Sequence, residues 1–313
     1  MEERWSTVTW LLFALMVLAW GFNYPLVAVG LASASPLWLA TLRAGVGLAG
    51  VVVLVSVAHG WGTLDAQGRR DAILLGIPNT AGLFGFWFVA AQSVPPGVAS
   101  VVIYTFPLWV ALLSAPALGK PLRRAAWVAI ATGFIGVALI SQGWRLLGPG
   151  VSILPIVELL TAALSWAFGT VLFQRRFRRE QALSACAYQI GGGFVALGLA
   201  TIALGFEPLP RPTPDLIGAT LWLGLVGTTV AYAIWFTLLG RTAAARISAY
   251  LFLVPIVALV ASVVLLGERL VWVQVAGVGL VLLAIVGIGR TQLEPPSSAM
   301  PPVVTSPAEP APE

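Results

Sequence analysis

Ten long runs of apolar residues, separated by short polar connections, dominate the pattern of the chain. A helix needs roughly 20 apolar residues to cross the hydrocarbon core of a bilayer, and each run is close to that length. The pattern therefore predicts an all-α integral membrane protein with ten transmembrane helices. The predicted spans are residues 8–29, 36–57, 72–92, 97–117, 125–142, 152–173, 182–204, 216–239, 246–266 and 270–289.

The composition agrees with this interpretation. Of the 313 residues, 59% are hydrophobic and only 9% are charged, whereas a soluble domain carries about 25% charged residues. The net charge of +5 does not indicate nucleic acid as a partner, because the basic residues form short clusters between apolar runs. Residues 291–313 are rich in Pro, Ser and Ala and have no apolar periodicity, which predicts a disordered cytoplasmic tail.

The distribution of Lys and Arg predicts the orientation. With the N-terminus in the cytoplasm, 13 basic residues fall on the cytoplasmic side and 3 on the far side, with Arg43 inside a helix. Cytoplasmic loops carry this excess in membrane proteins, so we expect both termini on the inner face of the cytoplasmic membrane. The cytoplasmic residues are Arg4, Arg69, Arg70, Lys120, Arg123, Arg124, Arg175, Arg176, Arg178, Arg179, Arg241, Arg246 and Arg290.

An internal repeat divides the chain into two halves, residues 1–142 and 152–290. Residues 75–122 shifted by 148 positions fall without gaps on 223–270 and keep pairs such as Trp87/Trp235 and Pro107/Pro255. A shift of 146 relates the earlier helices, as in Trp20/Trp166. Because each half holds five predicted helices, an odd number, the second half should enter the membrane from the opposite side. Inverted repeats of this kind are typical of secondary transporters, whose sites lie near the midplane.

The chain resembles the EamA-like branch of the drug/metabolite transporter superfamily over nearly all of residues 8–289. The resemblance rests on "LAWGFNYP", "LATLRAG" and "GVASVVIYTFPLWVALLSAPALGK" in the first half, and on "LSWAFGTVLFQRR", "RISAYLFLVPIVALVASVVLLGERL" and "QVAGVGLVLLAIVGI" in the second. It implies a ten-helix carrier with a central cavity that exports amino acids and related metabolites by alternating access. Two positions depart from the family pattern: Gly119-Lys120 lacks the Glu of the second copy, and Pro25 lies where relatives often carry Lys.

Repeat-related residues that face inward should meet near the axis between the halves. Aromatic and hydroxyl side chains at helical spacing form such stripes, and they would give a solute broad apolar contact with a few polar groups. Helix packing is an equally good explanation of the tryptophans, and the serines could bond their own helix carbonyls. Pro107 and Pro255 predict helix kinks that free a carbonyl. The candidate substrate-binding residues are Trp20, Asn23, Tyr24, Thr80, Phe84, Trp87, Ser100, Tyr104, Trp166, Thr228, Tyr232, Trp235, Ser248 and Phe252.

Two ionisable residues, Arg43 and Glu158, lie within predicted spans at similar depth. A charge in hydrocarbon costs at least about 2.5 kcal/mol and needs a partner or a wet cavity. One hypothesis pairs the two directly or through water, and another places a substrate carboxylate on Arg43. The alternative is that Arg43 bonds helix carbonyls or reaches the interface.

The remaining chemistry of the sequence is sparse. Cys186 lies in an apolar run, and His59 lies at a helix end beside Gly60. We therefore expect no metal, no cofactor and no catalytic residues, and a membrane-embedded enzyme or a structural subunit is disfavoured. The predicted function is a secondary exporter of amino acids or similar small metabolites. A proton-coupled exporter of drugs or lipophilic cations, with Glu158 as its carboxylate, remains open, as do the coupling ion and the oligomeric state. Membrane lipids are the other expected partners.

Overall fold

A computed structural model of the chain describes residues 6–58, 60–94, 96–118, 124–140, 153–204, 209–239, 247–248, 250–266 and 271–290. Within these ranges the backbone is helical with short connections, and it contains no β-strand. The predicted tail at 291–313, the position of His59 and the departure at Gly119-Lys120 lie outside the described residues.

The helices of the first half follow the predicted spans closely. A π-helical turn, Ile77–Gly82, joins α3 to α4, and a 3-10 turn, Trp61–Thr63, precedes α3. The helices are α1 (Thr7–Leu31), α2 (Pro36–Val57), α3 (Ala66–Gly76), α4 (Leu83–Ala91), α5 (Pro96–Ile103), α6 (Phe106–Leu118) and α7 (Arg124–Ile140).

The second half has a similar order of helices over its described residues, in which no counterpart of α5 is described. A longer π-helical stretch, Trp222–Val230, joins α10 to α11, and a 3-10 turn, Arg179–Gln181, precedes α9. The helices are α8 (Leu154–Arg176), α9 (Ala182–Leu204), α10 (Pro214–Leu221), α11 (Ala231–Leu239), α12 (Leu253–Leu266) and α13 (Trp272–Arg290).

Among the residues that the structure describes, six segments are long and apolar enough to cross a membrane. They match six of the predicted spans, and many large apolar side chains on them are exposed, as lipid contact requires. The other four predicted spans contain shorter helices in the described residues, so the number ten stays a prediction. The six are Thr7–Leu31, Pro36–Val57, Ala66–Ala91, Leu154–Arg176, Arg179–Leu204 and Pro214–Leu239.

Short polar residues begin several of these helices. The Ser6 hydroxyl accepts from the Thr9 backbone N–H at 3.2 Å, and Asp65 Oδ1 accepts from Gly68 N–H at 2.7 Å. Thr213 caps α10 in the same way and is followed by Pro214 in the first turn. Each cap satisfies an N–H group that has no partner inside its helix, and these caps fix where α1, α3 and α10 enter the fold.

Two irregularities of the first half recur in the second. The π-helical turn Ile77–Gly82, moved by 148 positions, falls on the last six residues of Trp222–Val230. The helix is also interrupted at Tyr104–Thr105, two residues before Pro107, and again at Leu251–Phe252 before Pro255. Both prolines are buried. A π turn carries one extra residue and often marks a functional site.

The helix neighbours also correspond between the halves. The first helix of each half contacts the fourth predicted span of the other half. Helix α1 packs on α12, in the span 246–266, and α8 packs on α5 and α6, which form the span 97–117. Likewise α2 packs on Trp222–Val230, while α9 packs on α3 and Ile77–Gly82. The pairs α2/α9 and α7/α13 each join corresponding helices. Every contact named here therefore has a counterpart in which the halves are exchanged.

Close contacts between helices depend on glycine at corresponding places. A Cβ on Gly47 would lie 2.6 Å from Cγ2 of Thr228, and one on Gly193 would lie 2.6 Å from Cγ2 of Thr80. No side chain fits at such a distance, so only glycine lets α2 and α9 approach these threonines. The same steric fit occurs on both sides of the central α2/α9 pair.

Candidate functional site

An aromatic cluster fills the space between the two halves. The Trp20 ring of α1 lies 5.4 Å from Trp166 of α8, 6.1 Å from Tyr232 and 5.7 Å from Trp235 of α11, measured between ring centroids. Phe106 stacks on Trp166 at 3.8 Å with an interplanar angle of 12°. Edge-to-face and offset-stacked pairs of this kind add about 0.5–1.5 kcal/mol beyond area burial, so the cluster fixes the angles at which these helices meet.

A small cavity lies beside this cluster. Its volume is about 30 Å³, which holds roughly two water molecules and not an organic solute. The predicted candidates on its wall come from α1, α4, α8, α11 and the interruption before α6. The lining residues are Trp20, Asn23, Tyr24, Arg43, Leu83, Phe84, Trp87, Ile103, Tyr104, Trp166 and Tyr232.

Eight of the fourteen predicted substrate-binding residues line the cavity, and the other six are buried outside its wall. Thr80 faces Gly193, and Thr228 binds Arg43. Phe252 does not line the cavity and packs on Gly133 of α7. Trp235 lies behind Trp20 and Trp166 in the cluster. Ser100 and Ser248 are also buried. Leu83 and Ile103 line the wall and were not predicted.

Arg43 carries a charge into the wall of the cavity. Its side chain is only 1% exposed. The Nε group donates to the Thr228 hydroxyl at 3.0 Å, and Nη2 donates to the Gly227 carbonyl at 3.4 Å. With the Asn23 amide oriented to match its surroundings, the Asn23 oxygen accepts from Nη2 at 3.2 Å. All of these acceptors are neutral, and Nη1 has no partner within the described residues.

Aromatic faces surround the same guanidinium. Its central carbon lies 3.9 Å from the ring centroid of Phe84 and 5.6 Å from that of Trp87. Cation–π contacts of this kind contribute more when water is excluded. They stabilise the charge without neutralising it, so Arg43 keeps an unused N–H donor and a positive field at the cavity wall.

The π-helical stretch supplies the carbonyl on which this arrangement depends. The Gly227 carbonyl accepts from Trp20 Nε1 at 3.1 Å and from Arg43 Nη2. In a regular α-helix that oxygen would be used by the i+4 N–H group, whereas a π turn changes the pattern of backbone bonds. A Cβ on Gly227 would also overlap the Asn23 side chain, so only glycine lets α1 come close enough.

A neutral counterpart of this site, with the roles of the two halves exchanged, lies where the first π turn meets α8 and α9. Asn79, in the π turn Ile77–Gly82, donates from Nδ2 to Gln189 Oε1 of α9 at 2.8 Å. The Asn79 amide also lies against Gly169 of α8, where a Cβ would overlap it. The shifts of 146 and 148 relate Gln189 to Arg43, Gly169 to Asn23 and Asn79 to Gly227. The two corresponding sites thus differ in charge.

The predicted direct pairing of Arg43 with Glu158 is wrong. Within the described residues no ion pair or hydrogen bond joins them, and Glu158 is half-buried on α8 away from the cavity wall. The hypothesis rests on the similar depth of Arg43 and Glu158 in the membrane, but depth does not determine the direction in which a helix side chain points. Arg43 instead bonds a helix carbonyl, which was the alternative interpretation.

No group of three or more His, Cys, Asp or Glu side chains that could bind a metal occurs in the part of the chain that the structure describes. Cys186 is fully buried as a free thiol. The polar chemistry of the cavity is therefore that of Arg43, Asn23 and the tyrosine hydroxyls, which suits binding through hydrogen bonds and charge.

Comparison with known proteins places these features in a family. The model of the EamA-like transporter family matches residues 8–142 and 153–290. The "Uncharacterized inner membrane transporter YedA" of Escherichia coli (strain K12) is 30% identical over 280 residues, 88% of each chain. The "Probable amino-acid metabolite efflux pump" of Salmonella typhimurium is 30% identical over 280 residues, covering 86% of this chain and 90% of that protein. A crystal structure with 21% identity superposes with a TM-score of 0.72 over 90% of this chain and 96% of that one.

Proposed function

The chain belongs to the EamA-like transporter family, and from this premise of a multi-pass membrane transporter we propose that it exports amino acids or similar small metabolites through the aromatic cavity. The family and the relatives' names indicate a transporter and not an enzyme. The observation that carries the choice of solute is the buried Arg43, which has neutral acceptors only and one unused N–H group.

A solute carboxylate fits this environment. A buried charge without a counter-ion is costly, and a carboxylate that accepts from Nη1 of Arg43 would supply both the counter-ion and the missing acceptor. The Tyr232 hydroxyl has no partner within the described residues either, and it offers a second polar contact. The ammonium group of an amino acid is stabilised over aromatic faces, here those of Trp20 and Trp166. The name of the Salmonella relative supports the same class of solute.

The small volume of the cavity implies that the helices move apart to admit a solute. We propose that the chain works by alternating access, with residues 1–142 and 152–290 as two inverted repeats of five helices each. The recurring π turns, the recurring interruptions before Pro107 and Pro255 and the exchanged helix contacts support this arrangement. Corresponding halves favour two states of similar free energy.

The proposed orientation has both termini and the tail 291–313 in the cytoplasm. It rests on the excess of Lys and Arg on that side, and the name of the Escherichia coli relative supports an inner-membrane location. Export as the direction and protons as the coupling ion belong to the same proposal.

The lipophilic-cation alternative is disfavoured by the charge at the cavity. Arg43 would repel a cationic solute at short range, and repulsion is strong in a site that excludes water. Glu158, the carboxylate that such a mechanism would use, does not line the cavity.

Solute flux into proteoliposomes tests the proposal. A panel of amino acids is compared with the amines that lack only the carboxylate, with and without a proton gradient, in wild type, Arg43→Gln and Glu158→Gln. Wild type should prefer the amino acid, and Arg43→Gln should reduce that preference at least about tenfold, because a hydrogen bond to a charged group contributes about 1.5–3 kcal/mol. Glu158→Gln is the control and should keep the preference. Equal flux of acid and amine in wild type, or dye flux that requires Glu158, would refute the proposal.

A further inference from the structure

A second concave surface lies between α3 and α8 and shares no lining residue with the aromatic cavity. It is an open groove of about 490 Å³, within the size range of small-molecule pockets. One wall carries Asp71 and Leu74 of α3 and Pro78 of the π turn that follows, and the α8 wall carries Phe168 and Arg175. On each helix the lining positions recur every three or four residues, which places them on one face.

The groove is polar at one end and apolar along its length. Arg175 and Arg176 lie at the C-terminal end of α8. At a rise of 1.5 Å per residue, Phe168 lies about 12 Å from Arg176 toward the start of the same helix. Leu74 and Phe168 are about half exposed, so the apolar part is open to the hydrocarbon of the bilayer. A ligand that fills it must combine a polar head with a long apolar chain.

The charge at the polar end defines the head group. Arg176 Nε donates to Asp71 Oδ2 at 2.5 Å, so the charges of Arg176 and Asp71 compensate each other. Arg175 is exposed and makes no hydrogen bond or ion pair within the described residues, so the groove keeps one uncompensated cation. Basic pockets between membrane helices bind anionic lipid head groups.

The corresponding place in the other half has neither feature. The shifts of 146 and 148 carry Phe168 back to Phe22 and carry Leu74 forward to Trp222. There the Trp222 ring lies 5.8 Å from the Phe22 ring and occupies the space between α1 and α10. The position that corresponds to Arg175 is Val29. Of these two corresponding places, both within the described residues, the α3/α8 side is the one with an open basic groove.

From this difference we propose that the α3/α8 groove binds one anionic phospholipid, with its phosphate at Arg175 and an acyl chain along Leu74 and Phe168. The site is independent of the solute cavity and of the direction of transport. A zwitterionic lipid of the same chain length fits the apolar part equally well but gains less from Arg175, so the site selects by head group.

Native mass spectrometry of the purified full-length protein tests the site. The protein is given equal amounts of phosphatidylglycerol and phosphatidylcholine with identical acyl chains, and the retained lipid is counted. Wild type should retain one phosphatidylglycerol in preference. Arg175→Gln should lower the ratio of the two lipids about fivefold, the effect of one cation near an anionic head group. Arg179→Gln, in the same basic cluster but outside the groove, should leave the ratio unchanged.

A second variant tests the apolar part. Leu74→Trp copies the residue at the corresponding position and should fill the groove, so that the protein binds neither lipid tightly. Ile73→Trp adds the same ring to an exposed neighbour on α3 outside the groove and should bind like wild type. Equal binding of the two lipids by wild type, an equal effect of Arg179→Gln, or unchanged binding by Leu74→Trp would overturn the proposal. So would inorganic phosphate that displaces the lipid from wild type and binds wild type and Leu74→Trp equally, since the site would then bind the anion alone.

Discussion

Gln189 stands 146 residues after Arg43, and each of the two side chains hydrogen-bonds with an asparagine on a neighbouring helix. Arg43 binds Asn23 of α1 at 3.2 Å, and Gln189 binds Asn79 of the first π turn at 2.8 Å. Both corresponding positions therefore contact an asparagine amide, but only Arg43 carries a charge. This difference separates a binding role from a structural role at corresponding positions.

Arg43→Gln should reduce transport without reducing stability. The substitution removes a buried charge whose acceptors are all neutral. Relief of the cost of burying that charge without a counter-ion should offset the loss of its hydrogen bonds. We expect the thermal midpoint of the purified protein to stay the same or to rise. Gln189→Leu is the matched change in the other half, and it should lower stability by about 1–3 kcal/mol because Asn79 loses its partner. A fall in the midpoint of Arg43→Gln equal to that of Gln189→Leu would make Arg43 a structural residue.

The contact of Asn23 with Gly227 should tolerate an exchange of its two residues. Gly227→Asn alone should destabilise the protein by about 1–3 kcal/mol, because any Cβ at that position overlaps Asn23. Adding Asn23→Gly reproduces the order found at Asn79 and Gly169, and it should restore most of the loss. The thermal midpoints of the two single variants and the double variant measure this coupling. A double variant no more stable than Gly227→Asn would show that the two contacts are not interchangeable.

Tyr232→Phe should weaken solute binding and leave folding unchanged. The hydroxyl lies at the cavity wall and has no partner within the described residues, so its removal leaves no protein group unsatisfied. Loss of one hydrogen bond to the solute should raise KM about three- to tenfold at an unchanged maximal rate. Tyr188→Phe is the control, since Tyr188 contacts Trp61 at the end of the helices. An unchanged KM in Tyr232→Phe would remove the hydroxyl from the binding site.

The proposed orientation can be tested without a cysteine-free background. The native Cys186 is fully buried and should not react with a maleimide that cannot cross membranes. Ser93→Cys and Gln67→Cys place single exposed thiols at opposite ends of the α3–α4 segment. Ser93→Cys should react in intact cells, and Gln67→Cys only after the membrane is permeabilised. The reverse result would invert the proposed topology.

The sequence predicts the helices well and the cavity in part, and particular residues explain the difference. The repeat correctly predicts that Trp20, Trp87 and Tyr232 line the cavity, because inward-facing aromatic residues at repeat-related positions meet at the interface between the halves. The repeat pairs Phe252 with Tyr104 and therefore predicts both at the cavity. Tyr104 lines it, whereas the Phe252 ring packs on Gly133 of α7, although the helix is interrupted in the same way at both positions.

The Gly227 carbonyl could not be predicted, because a π turn has no signature in a single sequence. The sequence does contain the charge difference between the corresponding sites, since the shift of 146 that aligns Trp20 with Trp166 also aligns Arg43 with Gln189. What sequence alone does not supply is the direction in which each side chain points, and the hypothesis of a direct bond between Arg43 and Glu158 is wrong for that reason.

The extra residue in each π turn has a geometric consequence for the cavity wall. One residue corresponds to about 100° of rotation around a helix axis. The π turn at Ile77–Gly82 therefore determines the direction, around the helix axis, in which the side chains of α4 point relative to those of α3. Phe84 and Trp87 face Arg43 only because that rotation is present. Deleting one residue, such as Ala81, would turn both rings toward the neighbouring helices or the lipid, which a thiol-accessibility measurement on Trp87→Cys would detect. The spacing between α3 and α4 is thus as much a determinant of the site as the identity of the side chains that line it.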